Sequence, residues 1–203
     1  MRKNSALQII IAIHILVGGC SKSEMVREMK YPNGQLRKKY TLIVNQDGDT
    51  VKHGKDLMWY ENGNLYAESY FENGVLQGKH TLWFENGTKW RECTYVDGRK
   101  KGKFREWHTN GSTCAAGTYV NGKREGAYTE WYPNGQKAFE CTFRKNEKNG
   151  PFTKWFKSGA IQKTGEYTMG RKHGAFIIRD KNGEIISERR FKNGIEISPD
   201  SGK

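Results

Sequence analysis

Between Lys103 and His108 the chain alternates, with Lys103, Arg105 and Trp107 on one side and Phe104, Glu106 and His108 on the other. One unit later Ala127, Thr129 and Trp131 alternate with Tyr128, Glu130 and Tyr132. A period of two marks a β-strand, whose successive side chains point to opposite faces; no useful window shows the 3.6 period of a helix. The pattern returns at a fixed interval. Glycines at 63, 87, 111, 135, 159 and 183 are each 24 residues apart, and Trp59, Trp83, Trp107, Trp131 and Trp155 keep that spacing until Arg179 breaks it. Gly54, Gly78, Gly102, Gly126, Gly150 and Gly174 form a third series, and Phe71, Tyr95, Tyr119, Phe143, Tyr167 and Phe191 a fourth. The fifth is Gly74, Gly98, Gly122, Gly170 and Gly194, with Asn146 in place of one glycine.

Each unit reads as two strands. Asn-Gly at 33–34, 62–63, 86–87, 110–111, 134–135 and 182–183, varied once to Ser158-Gly159, predicts a tight hairpin turn at positive φ. The connection back, as in Val120 to Gly126, predicts a second, looser turn. Consecutive hairpins predict an all-β fold: an elongated single-layer antiparallel meander of about seven 24-residue β-hairpin repeats. That amounts to roughly 12–14 strands over about 60 Å at ~4.8 Å per strand. The first unit is irregular, with about five extra residues expected near Val44 to Thr50, as terminal repeats often are.

Composition agrees. Only 35% of the 203 residues are hydrophobic, while 24 are glycine and 12% aromatic, which excludes a helical bundle, a doubly wound α/β core and simple disorder. Aromatic side chains stacked between adjacent units take the role usually filled by Leu and Ile.

The start of the chain reads as an address. Arg2 and Lys3 precede a mostly apolar run, Leu7 to Val17, that is shorter than the ~20 residues of a bilayer span and fits a signal-peptide core. It ends in Leu16-Val17-Gly18-Gly19-Cys20, which resembles the lipobox of bacterial lipoproteins. That resemblance implies a signal peptide over 1–19 and lipidation of Cys20 with a tether over 20–30; the repeats then place a repeat domain over 31–197 and a tail over 198–203. The lipobox resemblance also implies a lipid-anchored protein of the bacterial cell envelope, with Ser21 favouring an outer membrane.

Gly117-Thr118-Tyr119-Val120-Asn121-Gly122-Lys123-Arg124-Glu125-Gly126-Ala127-Tyr128 resembles the Gly-x-Tyr-x-x-Gly-x-x-x-Gly-x-aromatic core of MORN repeats. Trp131-Tyr132-Pro133-Asn134-Gly135 is similar to their bacterial variant, whose carriers are often labelled YwqK-type antitoxins. The resemblance covers residues 31 to 197 and implies lipid-binding, scaffolding or antitoxin-like roles. One position departs from the pattern: Gly117 and Gly165 are replaced by Ser69, Cys93 and Cys141 in sister units and by Arg189 in the last. A cross-strand aromatic is expected to lie over this position and leave little room. Cys93 and Cys141 then read as small packing residues. Two units apart, roughly 19 Å, they are beyond disulfide reach, and a bridge to Cys114 is geometrically awkward.

No catalytic residues, metal ligands or cofactor are expected. His53 and His173 sit beside turn glycines, and His80 and His108 occupy positions of Phe or Tyr in neighbouring units. The carboxylates Glu61, Glu85, Glu106, Glu130, Glu140 and Glu166 are scattered, with no signal that two converge. Of the formal net charge of +13, much lies in the return turns. Arg99, Lys100, Lys101, Lys123, Arg124, Arg171 and Lys172 are candidate contacts to anionic surfaces such as lipid headgroups, or simply keep an exposed sheet soluble. Trp83, Trp107, Trp131, Trp155, Tyr132 and Phe156, together with Tyr60 and Phe84, are candidate protein contacts. The leading expectation is a lipid-anchored, non-enzymatic binding or scaffold protein with a protein partner. The alternatives are an antitoxin-like protein that binds a toxin and a module gripping anionic lipid through a basic ridge. Nucleic acid is not expected as a partner of an exported chain.

Overall fold

The computed structural model describes residues 8–11 and 24–197. Residues 1–7 and 12–19 of the expected leader, Cys20, residues 21–23 of the expected tether and the tail over 198–203 lie outside the described residues, whereas Met25–Lys30 of that tether is a paired strand. The chain divides into two compact units, one ending at Arg99 and the other beginning at Lys100.

The first unit contains β1 (Gln8–Ile11), β2 (Met25–Lys30), β3 (Leu36–Val44), β4 (Thr50–Trp59), β5 (Leu65–Glu72), β6 (Val75–Trp83) and β7 (Lys89–Val96). Each pairs antiparallel with the next. The second unit contains β8 (Arg99–Trp107), β9 (Thr113–Val120), β10 (Lys123–Arg124), β11 (Gly126–Trp131), β12 (Lys137–Arg144) and β13 (Glu147–Trp155). It continues through β14 (Ile161–Thr168), β15 (Arg171–Arg179), β16 (Ile185–Lys192) and β17 (Ile195–Ile197), again an antiparallel meander. β10 and β11 are one incoming strand broken at Glu125, and both pair with β9. The protein is all-β, with no helix among the described residues.

The two turn types are the reverse of the sequence expectation. At the Asn-Gly turns, Tyr60 N–H donates to Asn64 O at 2.8 Å and Gly63 N–H donates to Tyr60 O at 3.0 Å, closing a three-residue loop. Only Gly63 has positive φ there, at +88°. Asn62 acts through its side chain, whose Oδ1 accepts from Asn64 N–H at 2.9 Å. The return connections are the tight two-residue turns: Glu72 pairs with Val75 across Asn73 (φ +47°) and Gly74 (φ +83°). Such turns need positive φ at both central residues, which suits the right-handed twist of the flanking strands. The irregular segment of the first unit is the loop between paired Val44 and Thr50, closed by Asn45 N–H donating to Asp49 O.

Every hairpin buries one face. In β5–β6 the register jumps from Glu68↔Thr81 to Tyr70↔Gln77, so that Ser69 faces Gly78, Lys79 and His80 together. Equivalent shifts occur in β3–β4, β12–β13 and β14–β15. A bulge bends its strand and increases the local twist, which tips the following aromatic over its neighbour. In the second unit Phe104, Tyr128, Phe152 and Phe176, spaced by 24, are all under 9% exposed and form the core. Phe104 lies 6.2 Å from Tyr128 and Phe152 5.5 Å from Phe176, centroid to centroid. Tyr119, Phe143, Tyr167 and Phe191 fill in from the outgoing strands, 4.8 to 5.4 Å from the same rings.

The expected overlay on the small position is present. A Cβ added to Gly117 would sit 2.8 Å from Phe104 Cε1, and one at Gly165 2.8 Å from Phe152 Cε1. Cys93 and Cys141 occupy the same position, 3% exposed. At the chain's end Arg189 is exposed and pairs with Glu196 at 3.6 Å.

Candidate functional site

The row of Asn-Gly turns is built from the candidate aromatics. Tyr31 O–H donates to Trp59 O, Tyr60 O–H to Trp83 O and Tyr132 O–H to Trp155 O, at 2.8 to 2.9 Å. His108, in the same phase, places Nε2 2.8 Å from Trp131 O and so keeps the tyrosine's bond with a different ring. The turn asparagines reinforce the row. Asn134 Oδ1 accepts from Gln136 N–H, while its Nδ2 donates to Lys157 O in the next turn at 3.0 Å; Asn62 and Asn110 do the same. Tyr132 therefore has a defined part in joining repeats. Trp83, Trp107, Trp131, Trp155 and Phe156 are half-buried, and Phe84 tilts against Trp90 at 5.8 Å.

The return-turn row sorts the basic residues into two alternating sets. Lys100, Arg124 and Lys172 turn inward over the core rings. Lys100 Nζ lies 5.0 Å from the Tyr119 centroid, Arg124 Cζ 4.9 Å from Tyr128, and Lys172 Nζ 4.5 Å from Phe191. Lys52 over Phe71 at 4.7 Å and Lys148 over Phe139 at 4.8 Å follow the same phase. These are cation–π contacts that cover the core with the aliphatic stems, so these cations do not form an outward ridge. Arg99, Lys101, Lys123 and Arg171 are exposed. The turns are also tied to each other: Gly122 N–H donates to Lys100 O and Gly194 N–H to Lys172 O, both at 2.8 Å.

Sequence reasoning missed an ionic group in the core of the first unit. Asp56 stands in the 24-residue phase of Phe104 and is 5% exposed. Its Oδ2 contacts Lys52 Nζ at 2.5 Å and Lys38 Nζ at 3.6 Å, while Oδ1 has no hydrogen-bond partner. Burial lowers the Lys38 pKa, with Lys52 adding to the shift and Asp56 opposing it. His80, one repeat on in the same phase, bonds Ser69 Oγ through Nδ1 at 2.8 Å. The signal was available: aligning the units at 24 puts Asp and His where sister units carry Phe and Tyr.

The opposite face carries no ring stack and is largely polar. Glu68, Thr81 and Glu92 neighbour one another across the strands of the first unit. In the second the row runs Arg105, Ala116, Thr129, Glu140, Thr153, Thr164, Ile177, Glu188. Glu92 is held by Lys79 and Lys89, both at 2.9 Å, and Glu140 by Lys137. Burial alone would raise the Glu92 pKa, but the hydrogen bonds from the two lysines outweigh it and the net shift is downward. Among the described residues no three His, Cys, Asp or Glu side chains gather to hold a metal ion. Such a face can present charge and aromatic edges to another molecule.

Three segments of the chain, residues 52–73, 76–97 and 124–145, match the MORN repeat variant family. Each covers one hairpin, from the residue over the core rings to the first residue of the following return turn. That family is generally a non-enzymatic binding or scaffold repeat, and no catalytic family is indicated. No curated protein matches the chain.

Proposed function

We propose that this chain is a lipid-anchored binding or scaffold protein of the bacterial cell envelope, held through Cys20 and presenting its polar sheet face to another envelope protein. The observation that carries the reading is the division of labour among side chains. One face is filled by the ring stack, and both turn rows are occupied by repeat-to-repeat hydrogen bonds. What remains to meet a partner is the polar face of each unit, bearing Glu68 and Glu92 in the first and Glu140 in the second, with the flanking tryptophans. A repeat sheet in which each unit contacts only its neighbours suits this work, because such folds offer extended surface in place of a deep cleft.

The anchor is tested by Cys20→Ser, which should abolish palmitate incorporation and move the protein to the soluble fraction. Retention of label and membrane association in that variant refutes lipidation at Cys20. The binding role is tested by crosslinking the anchored protein in its own envelope, with Trp83→Ala and Trp155→Ala as comparisons. Loss of a specific adduct supports the polar face, and unchanged adducts in both variants refute it.

A second reading, contact with anionic lipid, is favoured by the exposed Lys101, Lys123 and Arg171 of the second unit. At ~1 kcal/mol for each basic residue near an anionic surface, three contribute about 3 kcal/mol. That supports an existing anchor and is too weak to replace one. Vesicles containing phosphatidylglycerol should bind the protein in low salt and release it as salt rises; equal binding to neutral vesicles refutes this reading.

A further inference from the structure

The repeats serve as controls for one another: two of them lack the acidic side chain on the polar face, at Ala116 and Thr164, and of these Ala116 is the one paired with an arginine. In the repeat at Lys137, the strand carries Gln136, Lys137 and Glu140; Lys137 pairs with Glu140 and lies 5.7 Å from the Trp155 centroid. One repeat earlier in the chain the same positions are Ser112, Thr113 and Ala116. All three are shorter, and the Lys–Glu pair is gone. The position of Thr129 and Thr153, cross-strand to it, is taken by Arg105. The outcome is a cleft of about 320 Å³ lined by Arg105, Thr113, Ala116, Trp131 and Gly135.

Space at the turn changes in the same direction. A Cβ on Gly159 would meet Gln136 Oε1 at 3.3 Å, whereas one on Gly135 would meet nothing within 4 Å. Within this unit's row the first carboxylate, Glu140, is three strands away and engaged by Lys137, and none of the ion pairs given for the described residues uses Arg105. The exposed Arg105 thus lines the same cleft as Trp131, across from Ala116, where a sister repeat carries its own carboxylate at Glu140. Guanidinium groups bind carboxylates through two parallel hydrogen bonds. An indole face gives the aliphatic stem of the same side chain an apolar contact.

We propose that this cleft binds an acidic peptide segment of a partner protein, with a Glu or Asp carboxylate on Arg105 and its stem against Trp131. The inference rests on the binding reading above and names the chemistry of the partner. The ligand restores the interaction that Thr113 and Ala116 removed, which is why the cleft selects a carboxylate and not merely an apolar group. Its size is at the lower end of ligand sites, enough for a side chain or two.

The test uses the full chain, isotope-labelled, and the probe Ac-Ala-Glu-Ala-Glu-Ala-NH2. The Trp131 indole and Arg105 Nε signals should shift saturably with this peptide and at least tenfold more weakly with its Gln counterpart. Arg105→Thr, which installs the residue of the sister repeats, should weaken binding tenfold or more. Thr113→Lys with Ala116→Glu should rebuild the sister pair, fill the cleft and abolish the shifts with an unchanged circular dichroism spectrum. Equal binding of the Gln peptide, or full binding by the refilled variant, overturns the proposal. Competition by sodium acetate at the peptide's own concentration also overturns it, since it identifies a site for free carboxylate. If the peptide fails while envelope crosslinking still depends on Trp83 or Trp155, this site falls and the binding reading stands.

Discussion

Replacing Gly165 by Ala tests how the repeats are held together, because two effects of opposite sign meet there. The new Cβ would lie 2.8 Å from Phe152 Cε1 and 2.9 and 3.0 Å from Phe176 Cδ1 and Cε1. Carbon atoms prefer about 3.5–4.0 Å, so both rings must retreat by roughly 0.5–1 Å. Overpacking of this kind costs about 1–3 kcal/mol. Against it, Gly165 does not have the positive φ that would penalise alanine, and the loss of chain freedom in the unfolded state stabilises by about 0.4–1 kcal/mol. The steric effect wins, for a net loss of about 1–2 kcal/mol. With a urea dependence of ~1–3 kcal/mol per molar, the unfolding midpoint should fall by about 0.5–1 M. Far-UV circular dichroism in urea reads this directly. Trimming one ring with Phe176→Leu should make the added methyl less costly, so the double variant should lose less than the sum of the singles. A midpoint that rises in Gly165→Ala, or strict additivity, would refute the claim that rings close over the small position.

Three further outcomes follow from the same structure. Asp56→Ala should cost about 2–3 kcal/mol, below the ~3–5 of a fully buried pair because Lys38 and Lys52 can swing toward water; Asp56→Phe, with the ring found at 104, should recover part of that loss, and a neutral Ala variant would show the ionic group to be idle. Because the folded-state pKa of Glu92 is depressed, its contribution is present above the ordinary glutamate value near ~4.3 and lost as pH falls through the folded value. Melting curves of the parent and Glu92→Gln should converge on acidification, and a constant gap from pH 6 to 2.5 would contradict this. Burial pushes the Cys141 thiol up to about 11, leaving a thiolate fraction of roughly 10⁻³ at pH 8; mass spectrometry should find Cys141 unalkylated by iodoacetamide in the native chain, and reaction at the rate of the urea-unfolded protein would disprove the burial.

Much of the architecture is legible in the letters because each repeat is a local object. Alternation in Lys103–His108 identifies a strand, and the 24-residue spacing of Trp59 to Trp155 identifies the unit, without knowledge of any distant contact. Turn geometry was less legible. Asn-Gly occurs both at 62–63 and at 73–74, and composition cannot distinguish a loop closed by an Asn side chain from one with two left-handed residues. The number of residues between paired positions decides that, and pairing is tertiary.

The sequence by itself determined the strand, the period and which positions must stay small, since these follow from backbone stereochemistry and from repetition along the chain. Only the tertiary structure decided what each candidate side chain does. Lys100 and Lys101 are neighbours in the chain, yet one covers the Tyr119 ring and the other faces water, because the strand sends consecutive residues to opposite sides. Arg105 and Trp131 are 26 residues apart and acquire a shared cleft only when β8, β9 and β11 lie side by side with Ala116 between them. A space left by shortened side chains has no letter of its own.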